Sequence, residues 1–522
     1  MADASEYLVE VGYLNASGVA GTLYLSCGGY TTEPGDSLPN RYYEPRISEI
    51  GPFTQNIYAS GKTLGGESEI GYGSISAANA NGELDAWLDY AFDGQPLVIK
   101  QLPSHTAPYS TAVTLFSGTV ERLDADDAWV SFRLRVYDRR RILDRPIQTN
   151  LFAGTTLSGG ATAEGTADLK DRPKPLLYGR VFNIPAVLVN AFDLIYQVND
   201  GPVSSIIVYD GGVPLTQVAN HSTLSALQSA SLTGGEYITC NALGLFRIGS
   251  SPSKEITADV YQSSTASANR AGAIARAMLL KAGILVGSIN TASANTLDAA
   301  APYECGIWIN DVRNTNEVIT EILESVGGWM APNTLGVYTF GQMAAPLNIP
   351  VATIDYSTDI ILTGSDGEAV SIVANPDTDG GLPAWRVVLT YARVYQTQDA
   401  TAVHGCVDDE FRAFLAKETR EVKAQSATTQ TRHILSPELR LNTLLTTITS
   451  ATSEATRRLA MYSVRRDVIK LTLLASDAAP MLLGATVRVI LPRFGYESGK
   501  YMVVIGREYD MQNERVTLTL WG

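Results

Sequence analysis

Residues 128–138 read AWVSFRLRVYD. Val130, Phe132, Leu134 and Val136 fall on one side of an extended chain, and Ser131, Arg133, Arg135 and Tyr137 on the other. A repeat of two suits a strand with one face in a core and the other in water. Just upstream, LDADDAW (123–129) supplies Asp124, Asp126 and Asp127. Asp favours turns because it bonds its own backbone and tolerates left-handed geometry. AVTLFSGTVERL (112–123) and PLVIKQL (96–102) repeat the β texture at short spacing. Downstream, RRRILDRPIQ (139–148) reads as a short helical turn stopped by Pro146. At the start, YLVEVGYLNASGVAGTLYLSCGGYT (7–31) reads as two strands around a Gly/Ser/Asn turn. FTQNIYASGKTLG and ESEIGYGSISAAN add further strands. Residues 1–153 are therefore expected to form a mainly β domain, a sandwich or a barrel.

The remaining chain alternates this texture with helical patches. GTTLSGGATAEGTADLKDRP (154–173), rich in Gly and poor in large apolar residues, reads as a loop or linker. Strands and turns follow, with NDGP at 199–202 and DGG at 210–212, then EYITC and LGLFRI. In SSTASANRAGAIARAMLLKAG (263–283), Ile274, Met278 and Leu279 share a helix face that ends at Gly283. TNEVITEILESVGG (315–328) carries a stripe of Val318, Ile319, Ile322, Leu323 and Val326. WMAPNTLGVYTFGQM reads as a hairpin turning near Asn333, and AWRVVLTYARVYQ as a strand. FRAFLAKETREVKAQ could be helix or strand, while SATSEATRRLAMYSV (450–464) is a third clear helix. DVIKLTLLAS, GATVRVILPRF, KYMVVIGREYD and ERVTLTLWG close the chain in β. The expected class is mainly β with α+β insertions: several β-barrel or sandwich modules and a few helices. The expected domains are 1–153, 154–255, 256–350, 351–440 and 441–522, a division that suits 522 residues.

Lys plus Arg is 39 and Asp plus Glu is 54, a net charge of −15. Nucleic-acid affinity comes mostly from basic contacts to phosphate, so this balance argues against wrapping DNA. Arg133, Arg135, Arg139, Arg140, Arg141 and Arg145 do cluster; they read as a strand's wet face and the turn after it. No apolar run is long enough to cross a bilayer. The start MADASEYLVEVGYL lacks a basic lead and an apolar core, which sets the expectation of folding in a cytoplasm. Cys27, Cys240, Cys305 and Cys406 form no close pair and are expected to be buried free thiols.

Chemical motifs fail one by one. His105, His221, His404 and His433 lie far apart, with no HExxH and no GxSxG. GKT at 61–63 has Asn56 where a P-loop needs Gly, and GGYTTEPG (28–35) lacks a strand–GxGxxG–helix frame. In SEIGYGSISAANANGELDAWLDYAFDG (68–94), Glu69, Glu83, Asp85, Asp89 and Asp93, with Glu67 just before, invite a metal or catalytic reading. A calcium loop counted from Asn79 would put Leu84 at the Gly position and Tyr90 at the Glu position, so the frame fails. GYGSIS as a strand, NANG as a turn and GELDAWLDYAF as a short amphipathic helix account for the stretch, with Leu84, Trp87, Leu88 and Phe92 inward. The acids then sit near a helix N-terminus or on its wet face, where they are favourable. No catalytic, cofactor or metal residue is assigned, and no cofactor is expected.

With these residues in view, SEIGYGSISAANANGELDAWLDYAFDGQPLVIK, FSGTVERL and RILDRPIQ resemble the N-terminal part of tail proteins from long-tailed bacteriophages and prophages. KPLLYGRVFNIPAVLVN…LIYQVNDGPV is similar to the segment that follows in them. NEVITEILESVGGWMAPNTLGVYTFGQM is a further piece. GATVRVILPRFGYESGKYMVVIGREYDMQNERVTLTLWG resembles the closing β module of phage tail-tip hub proteins. Together these cover most of the chain, in order.

The resemblance implies a virion structural protein of the tail tip or baseplate, a homotrimeric hub ring around the DNA channel below the tail tube. Such a protein is assembled in the host bacterial cytoplasm. In that family, pseudo-sixfold β-barrel domains adapt a sixfold tube to a threefold tip. Implied partners are the distal tail protein, the tape measure and the central fibre or receptor-binding proteins, with DNA passing through without specific binding. Some lambda-like tail-tip proteins carry an iron–sulfur cluster on clustered cysteines; the scattered cysteines here depart from that pattern. A hexameric distal tail ring is the alternative within this class. A wall-cleaving enzyme would need two carboxylates brought together from different strands, with acids such as Glu83 and Asp85 or Asp126 and Asp127 at work. A carbohydrate-binding adhesin would need platforms from Tyr42, Tyr43, Tyr58 and Trp329. The ring is expected to form through edges of the N-terminal β domain and the module at 351–522, and Asp127→Ala is expected to leave assembly intact.

Overall fold

The computed structural model describes residues 5–58, 63, 71–126, 129–361, 370–378 and 381–522. Its fold is mainly β with helical insertions, as the sequence pattern implies. The alternation at 128–138 becomes strand Ser131–Tyr137, with Phe132, Leu134 and Val136 buried and Arg133 and Arg135 exposed. Val130 is the exception: it lies before the strand, at the exposed hairpin end. This strand belongs to a nine-stranded sheet that runs Tyr30–Thr31, Tyr42–Pro45, Ala20–Ser26, Glu6–Leu14, Pro96–Leu102, Val113–Ala125, Ser131–Tyr137, Tyr72–Ala78, Ile47–Ile50. The sheet curls around a core that includes Val9, Ile75, Ile99, Trp87 and Leu134.

Strand Phe53–Asn56 leaves that sheet. It pairs antiparallel with Lys500–Asp510, Phe53 opposite Tyr509 and Asn56 opposite Gly506. The C-terminal seven-stranded sheet is therefore completed by a strand from the first sixty residues. Met511 returns the contact by entering the N-terminal core, and its carbonyl accepts a hydrogen bond from Tyr7 Oη at 2.6 Å. Where Phe53–Asn56 ends, Arg140 is fully buried in the 3-10 turn Arg139–Leu143. It pairs with Asp138 at 2.6 Å and donates to the Asn56 carbonyl at 3.1 Å. Asp138 also accepts from the Gly71 and Arg140 backbone N–H groups.

Two five-stranded sheets form the middle of the molecule. One runs Val213–Pro214, Ser205–Asp210, Ile256–Tyr261, Leu176–Pro185, Gly306–Ile309; the other runs Val187–Asn190, Ile195–Gln197, Leu245–Ile248, Glu236–Cys240, Thr216–Asn220. They share a core in which Val208, Val181 and Val260 meet Tyr196 and Phe246. The loop at 154–173 has no regular elements but is packed down: Leu169 joins Phe152 in a small core, and Gly165 N–H donates to the Val189 carbonyl. DGG is a tight hairpin turn, with Gly211 and Gly212 both at positive φ.

Helices Ala271–Lys281, Thr291–Ala300 and Thr315–Glu324 pack against the hairpin Gly328–Pro332/Tyr338–Gln342 through Ile274, Met278, Leu297, Val318 and Ile322. The ambiguous FRAFLAKETREVKAQ divides into helix Asp409–Leu415 and strand Arg420–Gln425. Helix Ile448–Tyr462 packs on the three-stranded sheet of Arg420–Gln425, Arg386–Tyr391 and Glu438–Leu441. Among the described residues, no helix is long and apolar enough to cross a membrane.

Candidate functional site

The acid-rich stretch is held together by its own side chains. Asn79 accepts from Leu84 N–H at 2.9 Å and donates to Asp85 at 2.8 Å, pinning the turn to the segment after it. Glu83 pairs with Arg46, whose hydrogen bond holds the Glu83 carboxyl below its ordinary value. Arg46 also binds Asn81 at 3.1 Å. The helix is a single 3-10 stretch, Asp85–Asp89. Leu84, Trp87 and Phe92 point inward as expected, but Leu88 does not: it is 62% exposed. The reason is periodicity, since a five-residue 3-10 turn offers too short an inward face for both Trp87 and Leu88. Glu67 and Glu69 lie outside the described residues.

At the other proposed carboxylate pair, Asp126 works as a turn residue. It accepts from Ser131 Oγ at 2.5 Å, while its carbonyl accepts from Trp129 N–H. Asp124 is taken by Arg122 at 2.9 Å and Arg135 at 2.6 Å. Asp127 lies outside the described residues, as do Gly61 and Lys62 of GKT. Thr63 is described, and its N–H and hydroxyl both bind Asp377.

Of the aromatic candidates, Tyr42 is exposed, whereas Tyr43, Tyr58 and Trp329 are buried, so these four make no common platform. Tyr58 Oη donates to the Gly328 carbonyl at 3.0 Å. The arginine cluster divides. Arg133 and Arg135 are on the wet face, Arg141 pairs with Asp144 at 2.6 Å, and Arg140 is the buried tie described above. Cys240 and Cys305 are buried as expected, but Cys27 and Cys406 are exposed because both fall in loops between elements. Among the described residues, no three His, Cys, Asp or Glu side chains gather as a metal-holding group.

Two arrangements are not legible in the sequence. Asp210, Ser253 and His404 converge from distant positions: His404 Nε2 is 3.1 Å from Ser253 Oγ and 3.7 Å from Asp210 Oδ1. A nucleophile relay needs the imidazole between hydroxyl and carboxylate, one ring nitrogen for each. Here one nitrogen faces both, and Asp210 binds Ser253 Oγ directly at 3.0 Å. Asp210 also accepts from the Ser253 and Lys254 N–H groups, so the cluster ties the DGG turn to its neighbours. The second arrangement is a polar cleft of about 540 Å³ lined by Glu321, Glu324, Arg393, Glu418, Arg440 and Arg458. Most of these charges are matched nearby: Arg393 with Glu418, Arg440 with Glu421 and Glu438, and Arg458 with the buried Glu454. Burial pushes the Glu454 carboxyl up, and Arg457 and Arg458 reverse this, leaving it below its ordinary value. These pairs lie within helix Ile448–Tyr462, within the three-stranded sheet, and between the loops that flank it.

No family model and no curated protein matches the sequence. Among solved structures, the chain is similar to a tail protein from Neisseria meningitidis MC58, at 11% identity and a TM-score of 0.40, over 99% of this chain and 97% of that one. It is similar to a 43 kDa tail protein of prophage MuSo2 from Shewanella oneidensis, at 8% identity and a TM-score of 0.41, over 99% and 98%. A chain from the virion of a native gene transfer agent particle matches at 12% identity and a TM-score of 0.42, over 73% and 91%.

Proposed function

We propose that this chain is a structural component of a bacteriophage tail tip or baseplate, a hub ring of three copies around the DNA channel below the tail tube. The observation that carries this reading is the ordered series of hub-like segments along the sequence, from SEIGYGSISAANANGELDAWLDYAFDG to the closing β module. The fold is compatible with it at two points. Glu83 and Asp85 of the acid-rich stretch 68–94 are occupied in holding a turn, which suits scaffold. Among the described residues, the C-terminal sheet ends on strand Val370–Ala374, which carries the exposed Ile372 and Val373. An open apolar edge is a template for pairing with another chain.

In this role the chain has no catalytic duty. Its partners are other tail proteins: a distal tail protein above, the tape measure, and fibre or receptor-binding proteins below. The net charge of −15 would let DNA pass a lumen without adhering. Symmetry tests the proposal. Class averages of the purified protein by electron microscopy should show a threefold ring with an open centre. A sixfold ring would move the assignment to a distal tail ring, and release of fragments from purified cell wall would replace it with an enzyme.

A further inference from the structure

An apolar groove of about 260 Å³ lies where the N-terminal and C-terminal sheets meet. Phe53, Val113, Phe116, Leu482 and Tyr509 line it, and Arg507 reaches in from strand Lys500–Asp510. Val113 and Leu482 stand at its rim, 60% and 56% exposed. Arg507 is a cation without a counter-ion: no carboxylate pairs with it among the described residues. Its Nε finds no acceptor, and its one hydrogen bond goes to the Ala478 carbonyl at 3.3 Å. A half-buried guanidinium against apolar walls calls for an occupant that is apolar and also offers a π face or an anion.

Such a surface stands at the opposite end of strand Val113–Ala125. The groove takes the strand's first residues, and the hairpin that follows its last residue presents Trp129, 85% exposed. Asn79 N–H donates to the Val130 carbonyl, which brings the segment bearing Leu88 and Asp89 to this same end. Leu88 is exposed, and Asp89 is exposed with no ion pair among the described residues. At about 3.3 Å per residue, the two surfaces lie roughly 35 Å apart along the strand. They cannot meet within one copy. Unlike patches at opposite ends of a subunit are what a head-to-tail contact needs, and such contacts give a ring where the rotation between copies closes and a filament where it does not.

We infer that the Trp129 hairpin end of one copy docks into the Arg507 groove of a second copy, with Trp129 against the guanidinium and Asp89 as its anion. This rests on the ring reading and names the contact that closes the ring. Buried Trp and Arg are the side chains that dominate interfaces.

The test compares wild type, Trp129→Ser and Leu482→Asp by light scattering, with thermal unfolding as a control. Both positions are exposed, so both variants should unfold as wild type does. Each should weaken self-association at least about thirty-fold. A Val130→Cys/Val113→Cys variant, which keeps Trp129 and is made with Cys27 and Cys406 replaced by Ser, should form disulfide-linked oligomers. A wild-type oligomer that survives both substitutions, with no crosslink, overturns this contact and leaves the ring standing on other edges. A wild type that stays monomeric at its solubility limit and gives no crosslink overturns the contact and the ring together.

Discussion

Arg140 shows how one residue joins distant parts of this chain. Its guanidinium is buried between Asp138 and the Asn56 carbonyl, tying the end of strand Ser131–Tyr137 to the end of the strand that crosses to the C-terminal sheet. Removing one partner of a buried pair leaves the other charge without compensation, at a cost of about 3–5 kcal/mol. Arg140→Ala should therefore lower stability by that amount in urea unfolding, while Arg133→Ala, on the wet face, should change little. Phe132→Asp or Leu134→Asp should unfold the N-terminal sheet, read as loss of its near-ultraviolet signal, because each places a carboxylate in a filled core. Glu454 gives a pH-dependent case. Its folded carboxyl lies below its ordinary value of 4.5. The stability it contributes is fully present above that pH and is lost as the pH falls through the folded value. Glu454→Gln should be less stable at pH 7 and should show a shallower further loss on acidification below about pH 4.5.

At the scale of elements, Phe53–Asn56 makes the sharpest prediction. Its amides should exchange with solvent together with Gly506–Tyr509, since elements that open together share a ladder. Nothing in FTQN specifies this. Sequence periodicity says that a segment is extended, not which edge it joins, so the crossing was illegible while the strand itself was readable. Ser131–Tyr137 was readable in full because its period-two pattern reports a one-sided core. Helix Thr291–Ala300 went unseen for the opposite reason. TASANTLDAA has Leu297 as its one large apolar residue, and the helix stands on neighbours and on Asn290 capping Ser293 N–H at 3.0 Å. Leu88 points outward because its turn is a five-residue 3-10 stretch, which lacks the inward face of the longer helix that GELDAWLDYAF implies. The hydrogen bonds of Asn79 with Leu84 and Asp85 were not legible either, because residue order alone does not say which side chains of a turn bond each other. The meeting of Asp210, Ser253 and His404 could not be read, since it depends on loops brought together by the whole fold.

At the scale of the molecule, the proposed tail-tip role turns on association. Obligate rings bury large apolar areas, and the isolated chain still exposes Trp129, Ile372, Val373 and the rim of the Arg507 groove. The measurement that decides most directly is the mass of the purified chain in solution, by light scattering or native mass spectrometry. The hub proposal predicts three copies of the 56.0 kDa chain, alone or with a partner tail protein. A chain that remains a monomer at every concentration, with and without those partners, would contradict it.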